Sequence, residues 1–426
     1  MPPASDRYTD GSRRPGHPQW WLAGLLAAFV ALALAGVSRM LALPDLFRAP
    51  DAWTYDLRTS LFSQTPKGPR TDIAVVLIDD DSLGEGYISR SPVDRGLQAN
   101  LVRGLAAAGA KAIALDFIYD RPTARGPDQA LLEALASVKV PVVVGAIDAR
   151  STPDDSKQKK FQETFIAQSG QGAGHVYFAL QGGKMTIGDQ VVRYRLGPSP
   201  YPPNRPGLAE AAARAAGFKI SEPNAKFDGE RLIAWQKAPE FGGYDQPFRV
   251  LKVQSHRLGA PAGEMLGQGW EALVKGRIVL VGGGFVDIDR HLTPFSVLDR
   301  AKQPGVFVHA QILGQILDGR EVAVTPALAD VVLLMLVALA GMAAAARWRW
   351  RGGDFHVWLL GAVGVFLLGL LVFAGLGLIL PSGSVYLAWM AGVGLGNPPL
   401  WSRRFGGRIL LLLGLGWLLG HEGGMP

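Results

Sequence analysis

The stretch Gly276–Gly319 constrains the fold more than any other part of the sequence. It contains Ile278–Val281, a continuous aliphatic run long enough for a strand that is buried on both faces. Three glycines follow this run, and after a loop Pro304 and Gly305 open a helical pattern of apolar residues that stops at Gly319. A buried strand, a glycine turn and a covering helix in this order predict one edge of an α/β sheet.

The region before this stretch carries the same alternation of strands and helices. Between Ile73 and Val144, three strand-like runs alternate with two helical patterns, and two more strand-like runs lead into the central stretch. Asp148–Gly174 breaks the pattern, and its charges and glycines favour an exposed excursion. Val176–Leu180 and Lys184–Leu196 favour a hairpin. We therefore predict an α/β domain with a mainly parallel sheet, within a region of roughly 280 residues.

Apolar runs on both sides of this region are long enough to cross a bilayer. The chain has a net charge of +7 and no cysteine, and most of the excess positive charge lies beside those runs. The positive-inside rule puts such arginine-rich segments in the cytoplasm, which favours a multi-pass membrane protein and excludes nucleic acid as the expected partner. The predicted segments are a cytoplasmic tail (1–19), a first membrane helix (20–43), an extracytoplasmic domain in the periplasm (44–325), three further membrane helices (326–346, 355–380 and 384–402) and a short cytoplasmic tail with an interfacial apolar segment (403–426).

The first apolar run has two interpretations, a membrane helix or a signal peptide that is cleaved near Ala35. Small residues recur at every fourth position from Ala23 onward, which favours a helix that packs against another membrane helix. In the last predicted span, Ala388, Gly392 and Gly396 have the same spacing. We expect these two faces to pack together, within one chain or in a homodimer, and simple exposure to lipid is the alternative.

Acidic residues follow three of the predicted strands, and two histidines lie near the third. If the strands are parallel, their ends share one edge of the sheet, where open α/β folds bind ligands. The acids suit a divalent cation, the one cofactor the sequence suggests, or they cap helices and satisfy loop amides. Each histidine is either a structural group or a pH-responsive or metal-linked group. The candidate ligand- or cation-binding residues are Asp79, Asp81, Asp116, Asp120, Asp287, Asp289, His291 and His309.

Six motifs occur in order along the chain: DIAVVLIDDDSL (Asp72–Leu83), LVRGLAAAGAKAIALDFIYD (Leu101–Asp120), DQALLEAL (Asp128–Leu135), GRIVLVGG (Gly276–Gly283), DIDRHLTPF (Asp287–Phe295) and PGVFVHAQILGQIL (Pro304–Leu317). Together with one membrane helix before the domain and three after it, this order resembles the CHASE type-2 extracellular sensor family. The similarity runs from about Leu43 to Arg404, which is most of the chain.

The resemblance implies a sensory input domain of a bacterial receptor. Members of that family normally carry a cyclase, a kinase or a similar output module after the last helix, whereas only a short tail follows Arg404 here. We therefore expect no catalytic activity, and expect a cytoplasmic signalling protein supplied in trans as the partner. Two alternatives stay open, an envelope structural or assembly protein and a periplasmic metal-dependent hydrolase that uses the strand-end acids.

Overall fold

The computed structural model describes most of the chain between the first and the last predicted membrane helices. Within the described residues, the chain divides into two compact units: an α/β unit (Ala52–Val324 with Val372–Ile379) and a helical unit (Met1–Asp51, Thr325–Leu371 and Leu380–Pro426). The predicted tails 1–19 and 403–426 lie outside the described residues. Those residues are 25, 27–34, 48–83, 90–148, 156–180, 191–200, 203–220, 231–243, 245–254, 259–297, 300–348 and 354–396.

The α/β unit is built on one parallel sheet of six strands, which confirms the predicted fold class. The strand order across this sheet is β4-β3-β2-β9-β1-β8, and every pairing in it is parallel. Shorter strands form three small sheets, in the pairs β10–β11 and β12–β13 and in the trio β5-β6-β7. In chain order the strands are β1 Arg70–Ile78, β2 Ala112–Ile118, β3 Val142–Ala146, β4 Gly172–His175, β5 Phe178–Leu180, β6 Val192–Arg195, β7 Arg231–Leu232, β8 Phe248–Lys252, β9 Ile278–Gly283, β10 Arg290–His291, β11 Gln303–Pro304, β12 Ala323–Val324 and β13 Leu378–Ile379.

Helices cover both faces of the six-stranded sheet. Asp94 caps the helix α4 by accepting a hydrogen bond from the Leu97 amide, and Gly319 ends the helix α10 in the left-handed conformation. In chain order the helices are α1 (residues 27–34), α2 Arg48–Phe62, α3 Asp80–Leu83, α4 Arg95–Ala107, α5 Arg125–Ser137, α6 Lys157–Ser169, α7 Leu208–Ala215, α8 Ala262–Met265, α9 Trp270–Val274, α10 Gly305–Asp318, α11 Ala327–Trp348, α12 Asp354–Leu376 and α13 Ser382–Gly396.

The central strands are buried on both faces, as their unbroken apolar runs predict. Alternate residues of β2 enter different cores: Ile113 and Leu115 pack with α4 and α5, whereas Ala112 and Ala114 pack with α7 and α10. Strand β9 lies between β1 and β2, although it is far from both in sequence. Helix α5, which follows β2, packs on one face of the sheet, whereas α10, which follows β9, packs on the other. These two neighbouring strands therefore form a switch point, where open α/β folds have a crevice.

The expected excursion Asp148–Gly174 is wrong for most of its length. Residues 157–169 form α6, which Ser156 caps through the Lys159 amide, and residues 172–175 form the edge strand β4. The helix buries little beyond Phe165, so its apolar periodicity is weak, and the strand GAGH lacks the β-branched residues that mark a strand. Strand β4 is stabilised by its parallel pairing with β3, because its own sequence has little preference for a strand. The predicted hairpin is described only in part: β5 and β6 pair antiparallel, and residues 181–190, which include the predicted turn, lie outside the described residues.

Two helices of the described chain are long and apolar enough to cross a membrane, residues Leu328–Arg347 and His356–Leu376. The second ends at Leu376, where Gly377 takes a positive φ, so the predicted span 355–380 stops four residues early. The predicted spans 20–43 and 384–402 lie only partly within the described residues, as helices α1 and α13. The segment 409–419 lies outside them.

Small residues bring the helices of the helical unit together. Ala27 and Ala31 of α1 are fully buried in a cluster with Ala338 of α11 and Ala388 of α13. Gly392 packs directly on the backbone of Ala338, where a side chain would have no room. Gly396 is the last residue of α13. Such close backbone approach suits association in lipid, where the hydrophobic effect does not drive helices together.

Candidate functional site

A cavity of about 470 Å³ lies at the carboxyl edge of the six-stranded sheet. Its walls come from the segments that follow β2, β3, β4 and β9, together with the start of α4. This is the switch point of the sheet, and the volume suits a small organic molecule. Three of the residues predicted from the sequence line it, namely Asp116, Asp120 and Asp289.

Asp116 is the most unusual of the lining residues. It continues the β2 alternation that faces α7 and α10, and it lies opposite Gly282 in the parallel ladder with β9. Its side chain is only 5% exposed, and its Oδ2 atom has no hydrogen-bond partner. Burial, and secondarily the nearby charge of Asp289, raises the pKa of Asp116 well above its ordinary value. Burial therefore disfavours the ionised form of Asp116, and a ligand that supplies positive charge would favour it.

Asp289 reaches the same place from the loop after β9. Its backbone is left-handed with φ 52°, and its carbonyl accepts a hydrogen bond from the Gly305 amide at the start of α10. Its carboxylate lies against Gly305, which has no side chain to displace it, and also accepts from His291 Nε2 at 2.9 Å. An anion next to the first turn of a helix is stabilised by the helix dipole.

His309 lies beneath Asp116 on α10, with its Nε2 atom 3.6 Å from Asp116 Oδ1. The ring bonds the backbone of Val176 and stacks on Phe178 with 4.4 Å between the ring centroids. Burial lowers the pKa of His309 to about 3, against the smaller opposing influence of Asp289. His309 is therefore neutral, and Asp116 receives no counter-charge from it.

A second buried acid and imidazole were missed by sequence reasoning. Asp148 follows β3 and His175 ends β4, and both are almost fully buried with 3.7 Å between Asp148 Oδ2 and His175 Nδ1. Ser199 donates to Asp148 Oδ1, and the ring of His175 contacts the carbonyl of Gly197 at 3.0 Å. The position of Asp148 behind a buried strand was a signal for it, whereas nothing in the sequence marks the edge strand that carries His175.

The other three predicted acids, Asp79, Asp81 and Asp287, do not line the cavity. Asp79 caps α3 through Ser82 and pairs with Lys252 at 3.0 Å, and Asp81 lies exposed in that short helix. Asp287 is 65% exposed and pairs with Arg90, which also holds Asp80. Asp116 near the end of β2 and Asp287 after β9 thus lie at one edge of neighbouring parallel strands, but their carboxylates enter different environments.

The cationic side chains at the cavity are already paired. Arg90 bridges Asp80 and Asp287, Arg95 pairs with Asp128 at 2.9 Å, and Arg121 pairs with its neighbour Asp120 at 2.9 Å. Arg95 is further fixed by the rings of Tyr119, Phe161 and Phe165, each within 6 Å. Among the described residues, no group of three His, Asp or Glu side chains is arranged to hold a metal ion.

A family model of the CHASE2 domain matches residues 25–343, about three quarters of the chain. The chain belongs to the CHASE2 family. CHASE2 domains are extracellular sensory domains of signalling proteins. No curated protein and no solved structure matches the chain at a significant level.

Membership fits both units of the molecule. The matched residues include α1, the whole six-stranded sheet and most of α11, so the CHASE2 region contains the cavity and the first of the two long apolar helices. A sensory domain needs a place where a signal makes unequal contacts in two states. The cavity that Asp116 lines is a candidate for that place.

Proposed function

We propose that this chain is a sensory protein of a bacterial inner membrane whose periplasmic α/β unit binds a small signal molecule in the cavity at the sheet edge. The observation that carries this proposal is Asp116, which lines the cavity and whose buried side chain has an oxygen without a hydrogen-bond partner. An unsatisfied buried polar group costs free energy, and such a cost is typical of a site that a ligand completes. The chain itself has no catalytic activity in this proposal.

The signal would pass to a separate cytoplasmic protein through the membrane helices. Helix α10, which carries His309 beneath the cavity, ends at Gly319, and four residues later β12 pairs with β13. In sequence, β12 comes directly before α11, and β13 separates α12 from α13. A short segment of chain therefore links α10 to the start of α11, and the pairing of β12 with β13 links it to the end of α12 and the start of α13. This continuity supports a relay by helix movement.

The orientation in the membrane has a direct test because the chain contains no cysteine. A cysteine at Phe241, which is 78% exposed in the α/β unit, should react with a membrane-impermeant maleimide in intact cells whose outer membrane is permeabilised. A cysteine at Arg349, between the two long apolar helices, should react only after the inner membrane is opened. Equal labelling of both positions in intact cells would contradict the proposed orientation.

The relay is tested with a photo-crosslinking residue at Arg349, in the segment between the two long apolar helices. Ile118 is partly exposed at the cavity wall, so Ile118→Trp should obstruct the cavity without burying a charge. We expect this variant to change the yield of a crosslinked cytoplasmic protein in living cells. Phe241→Trp is the matched control, since it adds a similar ring outside the cavity. An identical yield for all three chains would contradict the relay to a cytoplasmic partner.

A further inference from the structure

The charges around the cavity are balanced except at one place. Each arginine of the lining has a carboxylate partner, and Asp120 is itself one of those partners. Asp148 accepts from Ser199 and faces His175. The remaining two acids are Asp116 and Asp289, which lie close enough for the charge of Asp289 to act on Asp116.

No positive side chain compensates this pair. Among the described residues, neither Asp116 nor Asp289 forms an ion pair with a lysine or an arginine, and their recorded partners are the imidazoles of His309 and His291. Asp116 lines the cavity, its side chain is more than nine-tenths buried, and its Oδ2 atom has no hydrogen-bond partner. A ligand that completes this pair would supply positive charge and hydrogen-bond donors.

The other walls suit an organic cation better than a bare metal ion. The lining includes the aromatic residues Phe117, Tyr119, Tyr177 and Phe285 and the aliphatic residues Ile118, Ile147, Val176 and Ile288. Ammonium groups bind favourably near aromatic rings, and aliphatic walls accommodate a hydrocarbon body. A metal ion would need three or more well-placed ligands, and the described residues offer no such group here.

We propose that the signal molecule is a small organic ammonium compound, with its charged group between Asp116 and Asp289 and its hydrocarbon part along the aromatic wall. This inference rests on the proposed sensory function and narrows it to one ligand class. Binding of the cation would ionise Asp116 and so release up to one proton to the solvent. The proton release distinguishes this mode from binding at a carboxylate that is already ionised.

The test is calorimetric titration of the full chain in detergent, with agmatine, cadaverine and choline as cations and glutarate and phosphate as anions. At least one cation should bind saturably, and its heat should vary with the ionisation enthalpy of the buffer as proton release requires. Asp116→Asn, which keeps the side-chain volume, should weaken that binding by about tenfold or more, since it removes a buried charge. Asp289→Asn provides a second variant whose side chain is more exposed and therefore easier to accommodate.

The matched control is Asp72→Asn, the same substitution near the opposite edge of the same sheet, where Asp72 pairs with Arg70. This control should bind the cation as the wild-type chain does. The ligand class is overturned if no cation of the panel binds at millimolar concentration, or if both cavity variants bind as tightly as wild type. Binding of glutarate or phosphate that Ile118→Trp abolishes would overturn the ammonium proposal but leave the sensory function standing. The sensory function fails separately, by an unchanged crosslinking yield.

Discussion

Two acids at the carboxyl edge of the same sheet, Asp79 and Asp116, have opposite environments. Asp79, after β1, accepts from the amide and hydroxyl of Ser82 and pairs with Lys252. Burial pushes its pKa upward, but the hydrogen bonds from Lys252 and Ser82 outweigh burial and hold the pKa of Asp79 below its ordinary value. Asp116, at the end of β2, has burial without such donors, so its pKa is raised.

The difference shows that the position of an acid at a strand end does not by itself determine whether its role is structural or functional. Asp79 serves local structure, because its donors come from the turn it caps and from the neighbouring strand β8. Asp116 faces helix α10, where the nearest group is a neutral histidine. A satisfied acid contributes stability, whereas an unsatisfied one costs stability and is retained where binding needs it. Substitutions on each side test this contrast.

The largest effect should come from His309, whose neutrality leaves Asp116 without a counter-charge. Its pKa falls from 6.5 to about 3 on folding, so the unfolded chain takes up a proton in this window while the folded chain does not. Stability is therefore lost as the pH falls from 6.5 toward 3, by on the order of 3 kcal/mol at pH 4. His309→Gln should abolish most of this loss, as urea unfolding midpoints of the full chain in detergent at pH 7 and pH 4 would show. An equal pH dependence in both chains would refute the buried, neutral state of His309.

Asp116→Asn should stabilise the ligand-free chain at neutral and mildly alkaline pH. The folded chain keeps a proton on Asp116 that the unfolded chain loses above pH 3.8, so the cost of folding grows as the pH rises from there. Removing the ionisable group should raise stability by roughly 1–3 kcal/mol at pH 8 and by much less at pH 4. Unfolding midpoints at the two pH values measure this, and a variant less stable than wild type at pH 8 would remove the contrast with Asp79.

Asp79→Ala should have the opposite sign. Loss of the cap on α3 and of the Lys252 pair should destabilise the chain by about 1–2 kcal/mol at pH 7. Because the pKa of Asp79 is lowered on folding, this contribution is present above pH 3.8 and disappears as the pH falls below that value. Lys252→Gln, which leaves the Ser82 bonds intact, should lose less. No loss at pH 7 for Asp79→Ala would show that its bonds are exchanged for water at no cost.

The smallest effect should come from Arg90, which bridges Asp80 and Asp287 above the two strand ends. Its side chain is 44% exposed, so water and salt screen both ion pairs. Arg90→Gln should cost at most about 1 kcal/mol at low salt and less at high salt. A large, salt-independent loss of stability would mean that Arg90 helps to shape the cavity that it lines.

Local sequence was sufficient for the elements that depend on their own patterns. Unbroken aliphatic runs predicted the central strands β1, β2 and β9, since only a strand covered on both faces can bury such a run. Pro304, Gly305 and Gly319 marked the bounds of α10 through the backbone conformations that they permit. The same patterns predicted that the acids after the strands, Asp116 and Asp289 among them, share one edge of a parallel sheet.

Tertiary structure decided what the sequence could not. Helix α6 and strand β4 have weak local sequence signals, which is why the sequence did not predict them. They are stabilised by tertiary contacts, α6 through Phe165 in the core and β4 through its pairing with β3. Which strand-end acid is satisfied depends on groups far away in sequence, since Asp116 faces His309 across 193 positions while Asp79 meets Ser82 within three. Hydrogen bonds within one turn can be read from adjacent residues. The desolvation of Asp116 depends on how β2, β9 and α10 enclose it, and only the folded chain fixes that arrangement.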